Sequence, residues 1–265
     1  MRMDVDAYLA RIGAGRPQAP TAQALAELHE RHTTTVPFEN LSVHLPEPIV
    51  LDQDALVDKV VRRRRGGFCY ELNGAFAALL RELGFRVSLH PARVHRGDGR
   101  FGAPFDHLAL LVDLEEPWLA DVGFGRFARR PLRLTTTEPQ ADVEGEFLVL
   151  DAPGGDVEVR HDGQPAYRLE RRARELADFV PACWWQATSP DSHFTRNLLC
   201  TLPTAQGRVT LAGEQLIETV DGKRVERTLA GQDLVEAYQE YFGISVNEAP
   251  SPGVFPATGP RPFPN

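Results

Sequence analysis

Basic residues, cysteines and long apolar runs are all scarce in this 265-residue sequence. Lys and Arg total 29 against 37 Asp and Glu, a formal charge of −8, which argues against a nucleic-acid or membrane-surface partner. The three cysteines, Cys69, Cys183 and Cys200, are odd in number and have no C-x-x-C spacing, which excludes a disulfide framework and a cysteine zinc site. The longest apolar runs, 75–80 and 108–112, are far too short to span a bilayer. The start, M-R-M-D-V-D-A-Y-L-A-R-I-G, carries acidic residues and no apolar stretch of the kind a secretory signal needs. Glycine-rich nucleotide-binding signatures are missing, and the His29/His32 and His90/His95 pairs lack the carboxylate and third ligand of a metal site. A cytoplasmic protein without a bound metal is expected.

The first third reads helical. Tyr8, Leu9 and Ile12 fall at helical spacing, Thr21 is an N-cap for 22–31, and Leu56, Val57, Val60 and Val61 share one face of 51–63. After Gly66-Gly67, a stripe of Leu72, Phe76, Leu79, Leu80 and Leu83 predicts a helix over 69–83, stopped by Gly84. The middle third alternates like strands. Residues 107–113 and 118–122 flank Glu115-Glu116-Pro117 as a hairpin, and short strands follow at 147–150, 157–160 and 166–169, suggesting a barrel or sandwich. In the last third, strands at 208–211 and 215–219 lead through Asp221-Gly222 to a strand at 224–229, then to a helix over 232–242. The tail, 248–265, holds six prolines and reads as low-complexity sequence.

The chemistry concentrates in R-G-G-F-C-Y-E-L-N, residues 65–73. It places Cys69 where a glycine turn hands over to an amphipathic helix. Unsatisfied N–H groups there carry partial positive charge, favouring a thiolate and able to hold an oxyanion. From this segment alone a buried structural cysteine is an equal reading. His107 opens one strand of the hairpin and Asp121 lies near the end of the other, so the pairing brings the two together. An Asp that orients an imidazole, and an imidazole that takes a thiol proton, are what a sulfur nucleophile requires. Arg65 directly precedes the turn, and Glu39, set among Pro37, Phe38 and Leu41, is its best ion-pair partner, since an unpaired buried charge costs several kcal/mol as a rough estimate. Cys183, beside Trp184-Trp185, reads as core.

These segments, with D-A-Y-L-A-R-I-G, V-P-F-E-N-L-S-V-H, D-H-L-A-L-L-V, A-D-V-G-F-G, S-P-D-S-H-F and E-A-Y-Q-E-Y-F-G-I, resemble the arylamine N-acetyltransferases over most of the chain. The resemblance implies an α+β fold with a cysteine-protease-like Cys-His-Asp triad of Cys69, His107 and Asp121. It implies a helical bundle over 1–84, a β-barrel over 85–190, and an α/β lid with its tail over 191–265. It implies no tightly bound cofactor, acetyl-CoA as co-substrate, a small arylamine or hydrazine acceptor, and a monomer or homodimer. Phe38, Phe124 and Gly125 then line the acceptor pocket, where flat aromatic amines stack on aromatic walls. The chain departs from many relatives in R-F-A-R-R after G-F-G; Arg126, Arg129 and Arg130 are candidates for the CoA phosphates, with solvated surface arginines as the alternative. An amide synthase of the same family would use the same site to close a polyketide macrolactam. A cysteine hydrolase or transglutaminase shares the triad and lacks the other motifs.

Overall fold

The computed structural model describes residues 3–250 except 46 and 98, so the proline-rich segment from 251 onward lies outside the described residues. Helices α1 (Val5–Ile12) and α2 (Ala22–Thr35) start on side-chain caps: Asp4 accepts from the Ala7 N–H and Thr21 from the Ala24 N–H. Strand β1 (Phe38–Glu39) and helix α3 (Leu41–His44) follow. The amphipathic stretch expected over 51–63 divides: α4 (Gln53–Val57) runs into a π-turn, Asp58–Arg62. The Arg63 N–H reaches back to the Asp58 carbonyl, and the wider turn sets both Lys59 and Val60 inside.

Helix α5 (Cys69–Glu82) is buried from Cys69 through Leu80, so a helix that looks amphipathic in sequence is the centre of the first core. It lies against β2 (Arg86–Val94) and β3 (His107–Asp113). With β4 (Pro117–Ala120), β5 (Leu132–Arg133), β6 (Gln140–Asp142), β7 (Gly145–Asp151), β8 (Val157–His161) and β9 (Gln164–Leu169), these form an antiparallel sheet ordered β5-β4-β3-β2-β9-β8-β7-β6. Its edges nearly meet. The Gln140 side chain of β6 accepts from the Arg133 N–H of β5 at 2.8 Å and donates to the Arg133 carbonyl at 3.0 Å, so a side-chain amide ties the two edge strands of an almost closed eight-stranded barrel. Ala92, Ala109, Leu119, Phe127, Phe147 and Tyr167 belong to a second core, within this sheet.

Helices α6 (Val180–Thr188) and α7 (His193–Arg196) lead to β10 (Leu199–Thr204), β11 (Gly207–Ala212), β12 (Gln215–Val220) and β13 (Lys223–Thr228), then α8 (Gln232–Phe242). The β12–β13 turn at Asp221-Gly222 has φ of 48° and 76°, the left-handed pair a two-residue hairpin needs. Neither α6 nor β10 was legible in the sequence. The segment V-P-A-C-W-W-Q-A-T has no polar face, and Trp184 is 67 % exposed. β10 joins β1 at the far end of the chain, Phe38 opposite Thr201 and Glu39 opposite Cys200, so the early segment that precedes the nucleophile is an edge of the last sheet. No helix among the described residues is long and apolar enough to cross a membrane.

Candidate active site

Cys69 is the first residue of α5 and only 3 % exposed. The turn before it is pinned from three sides. The Glu39 N–H bonds the Gly67 carbonyl at 2.9 Å. At Gly66 a β-carbon would stand 1.9 Å from the Pro37 carbonyl oxygen, so no side chain fits. Glu71, two residues after the cysteine, accepts from the Phe68 N–H at 3.2 Å and from Lys59 Nζ at 2.6 Å. The expected Glu39–Arg65 pair is present: the two guanidinium contacts on Glu39 Oε1 are 3.1 and 3.0 Å, with the glutamate side chain fully buried and the arginine's 6 % exposed. Glu39 Oε2 accepts from the Leu41 N–H at 2.6 Å. Burial alone would raise the Glu39 carboxyl; Lys59 and Arg65 outweigh it and hold it below the usual carboxylate range. Burial raises Glu71, against the opposing pull of Lys59.

The hairpin of β3 and β4, with Leu110 opposite Ala120, returns Asp121 beside His107. Asp121 follows β4 and is not part of the strand expected over 118–122, which frees its backbone for other bonds. His107 Nε2 lies 2.7 Å from Asp121 Oδ2. A carboxylate only accepts, so Nε2 carries the proton and Nδ1 keeps its lone pair. The second carboxylate oxygen accepts from Asn73 Nδ2 at 2.9 Å and from the Gly123 N–H at 3.0 Å. Burial would raise Asp121, yet His107, Asn73 and the Gly123 N–H together hold it below its ordinary value.

Two residues that sequence reasoning passed over complete this arrangement. Asn73 is four positions after Cys69, hence on the same helix face, and also donates to the Leu108 carbonyl at 2.7 Å and accepts from the Val122 N–H at 3.0 Å. An amide on the buried face of a helix was the available signal. His29 of α2 accepts the Asp121 N–H on Nε2 at 3.0 Å and donates from Nδ1 to the Arg129 carbonyl at 2.8 Å. Nothing local to His29 announces this role.

Cys69 and His107 open onto one cavity of about 570 Å³, with walls that include Phe38, Phe124, Trp185 and Phe194. Phe124 packs edge-on to His107 at 5.1 Å between ring centroids, and Phe38 lies 6.2 Å from Phe194. Gly125 sits behind this wall: its carbonyl accepts from Arg208 Nη1 at 3.0 Å, and with φ of 90° it turns the chain against the Phe38 ring. The three arginines nominated for CoA do not line the cavity. Arg129 is bound to Glu144 at 3.0 Å and only 13 % exposed, Arg130 is bound to Glu30 at 3.1 Å, and Arg126, 69 % exposed, lies 3.7 Å from Glu144.

Burial and the helix N-terminus act on the Cys69 sulfur in opposite senses. Burial pushes the Cys69 thiol well above its ordinary value; a contact to the Leu108 main chain works against this, while Asp121, Cys183 and Asp106 add to it.

The N-acetyltransferase family model matches residues 21–250. The arylamine N-acetyltransferase of Escherichia coli (strain K12) is 38 % identical over 251 residues, covering 91 % of this chain and 89 % of that protein. The solved arylamine N-acetyltransferase of Salmonella typhimurium superposes with a TM-score of 0.85 at 34 % identity, covering 93 % of each chain. That of Mycobacterium marinum in complex with CoA superposes with a TM-score of 0.82 at 32 % identity, covering 91 % of this chain and 93 % of that one.

Proposed function

This chain belongs to the N-acetyltransferase family, and we propose that it moves acetyl from acetyl-CoA to arylamines, N-hydroxyarylamines or hydrazines in a ping-pong reaction through acetyl-Cys69. The observation that carries the reading is the 2.7 Å contact between His107 and Asp121, placed on the same cavity as a cysteine at a helix N-terminus.

In the first half-reaction His107 Nδ1 takes the Cys69 proton as Sγ attacks the thioester carbonyl. The bond from that carbon to the CoA sulfur breaks, and the imidazolium returns its proton to the departing thiolate. In the second half-reaction the acceptor nitrogen attacks acetyl-Cys69, its proton passes to Nδ1, and the released Cys69 thiolate recovers it. Asp121 orients the ring and stabilises the imidazolium in both. N–H groups of the first turn of α5 face the developing oxyanion. Phe38 and Phe124 stack on the acceptor ring, and Gly125 keeps Phe38 in place. Acetyl-CoA is a co-substrate that leaves after each turnover. Of the three arginines nominated for the donor, Arg129 is held inside on Glu144, while Arg126 and Arg130 are exposed. All three reacting residues lie on one chain, as suits a monomer or homodimer, and three free buried cysteines suit the cytoplasm.

Incubation with acetyl-CoA is expected to add one acetyl group, detected by intact mass, and Cys69→Ser to abolish it. Asp121→Asn should lower acetyl transfer to an aniline by roughly 10⁴-fold, as in other triads. Acetylation of Cys183 or Cys200, or an Asp121→Asn enzyme of ordinary rate, would overturn the assignment. Acetyl ester cleavage that ignores the added amine would point to a hydrolase.

A further inference from the structure

None of Arg126, Arg129 and Arg130 lines the cavity onto which Cys69 opens. The cavity that exposes Cys69 is also lined by Arg96 and Arg100, from the β2–β3 connection, and by Arg196, at the end of α7. We propose that Arg196, with Arg96, forms the phosphate-binding rim for the CoA donor. This rests on the acetyl-CoA reading above.

Arg196 is built for the task. Its Nε donates to the Ser192 carbonyl at 3.2 Å and one Nη to the Asp191 carbonyl at 3.0 Å. Main-chain carbonyls orient the guanidinium without neutralising it, and its remaining N–H groups keep the fork geometry that suits a phosphate. Ser192 in turn is fully buried and donates to Gln186 at 2.8 Å, so the anchor is rigid. Arg96, also on the lining, has a half-exposed side chain 3.9 Å from Asp106 Oδ2. Asp106 Oδ1 accepts the Val94 N–H at 2.9 Å, which fixes the carboxylate, and the contact to Arg96 is a long one. Asp106 and Asp191 line the cavity too; Asp106 faces Arg96, whereas Arg196 is held by main-chain carbonyls, and His193 is lowered by burial and by Arg196. Arg196 therefore offers an anion a guanidinium that no carboxylate neutralises, in a cavity whose walls include Phe38, Phe124, Trp185 and Phe194. A molecule with an anionic head and a long arm ending in a thioester can use both; a neutral arylamine uses only the aromatic walls.

The test compares Arg96→Gln, Arg196→Gln and the double variant with wild type. Titration with CoA, which needs no turnover, should show weaker binding by roughly tenfold for each guanidinium lost, the range of a charge-assisted hydrogen bond. With a neutral aniline as acceptor, KM for acetyl-CoA should rise by a similar factor while KM and kcat with nitrophenyl acetate as donor stay unchanged. Dephospho-CoA separates the sources: a loss confined to CoA assigns the rim to the 3′-phosphate, and an equal loss on both assigns it to the diphosphate. Unchanged CoA affinity, equal effects with both donors, or an effect confined to an anionic acceptor such as an aminobenzoate would overturn the proposal. Because CoA titration is independent of acyl transfer, a wild type that binds CoA but never acetylates Cys69 would refute the mechanism and leave the rim standing.

Discussion

Gly123→Ala probes how tightly the loop after Asp121 is pressed onto Cys69. A β-carbon at this position would stand 2.7 Å from Cys69 Cα, 2.7 Å from Asn73 Nδ2 and 3.0 Å from the Cys69 carbonyl oxygen. Carbon atoms in good contact lie about 3.5–4.0 Å apart, so the added methyl group is roughly 1 Å too close to the backbone that carries the thiol. It cannot be relieved by a side-chain rotation, because two of the three obstacles are backbone atoms of α5. The loop must move outward, and it carries the Gly123 N–H that holds Asp121 Oδ1 at 3.0 Å. A misplacement of about 1 Å between catalytic groups is worth around 10²-fold in rate, and overpacking of this kind costs about 1–3 kcal/mol. The expected outcome is therefore a kcat for acetyl transfer lower by about two orders of magnitude and a melting temperature lower by several degrees. Stopped-time assays with acetyl-CoA and an aniline, together with thermal melts, check both quantities. Gly15→Ala, at an exposed glycine with nothing within 4 Å of its added carbon, is the control and should be neutral. Wild-type kcat and melting temperature in Gly123→Ala would refute the close-approach argument.

Two further outcomes follow from the buried charges. Arg65→Gln leaves Glu39, whose side chain is fully buried, with Lys59 at 3.9 Å as its remaining cation, and removing one partner of a buried pair costs roughly 3–5 kcal/mol; thermal melts should show a drop on the order of 10 °C together with lost activity, and a drop within 2 °C or so would contradict a clamp. His29 and His32 are both lowered chiefly by burial, so below about pH 6.5 the unfolded chain binds protons that the folded chain refuses. Their stabilising contribution is thus complete above about pH 6.5 and is lost as pH falls, by up to about 1.4 kcal/mol per histidine per pH unit. Urea unfolding between pH 7 and 5 should reveal this slope, and His32→Gln should flatten it. Stability that stays level down to pH 5 would show that neither histidine is held neutral.

The chain's own local chemistry decided much of what is seen. Residues 232–242 form a helix over the span their periodicity marks, and Asp221-Gly222 closes the hairpin its composition demands. The pairing of His107 with Asp121 followed from two alternating runs around a turn, since antiparallel strands return their far ends to one place. Glu39 and Arg65 were legible as partners because each sits in an apolar setting that a lone charge cannot occupy. Other features needed the assembled fold. Strand β1 is two residues long and finds β10 across more than half the chain, a pairing that no local pattern encodes. The barrel approaches closure through one glutamine amide, and His29 reaches under Asp121 from a helix far back in sequence. Arg129 has the composition of a phosphate ligand and instead meets Glu144, while Arg196 borders the cavity. Turn and periodicity signals act over a few residues, whereas a charge's partner and a thiol's proton affinity depend on which surfaces come together and how much water they exclude. For that reason the place of Cys69 at the start of a helix was readable, but its burial was decided only by the packing of α5 against the barrel.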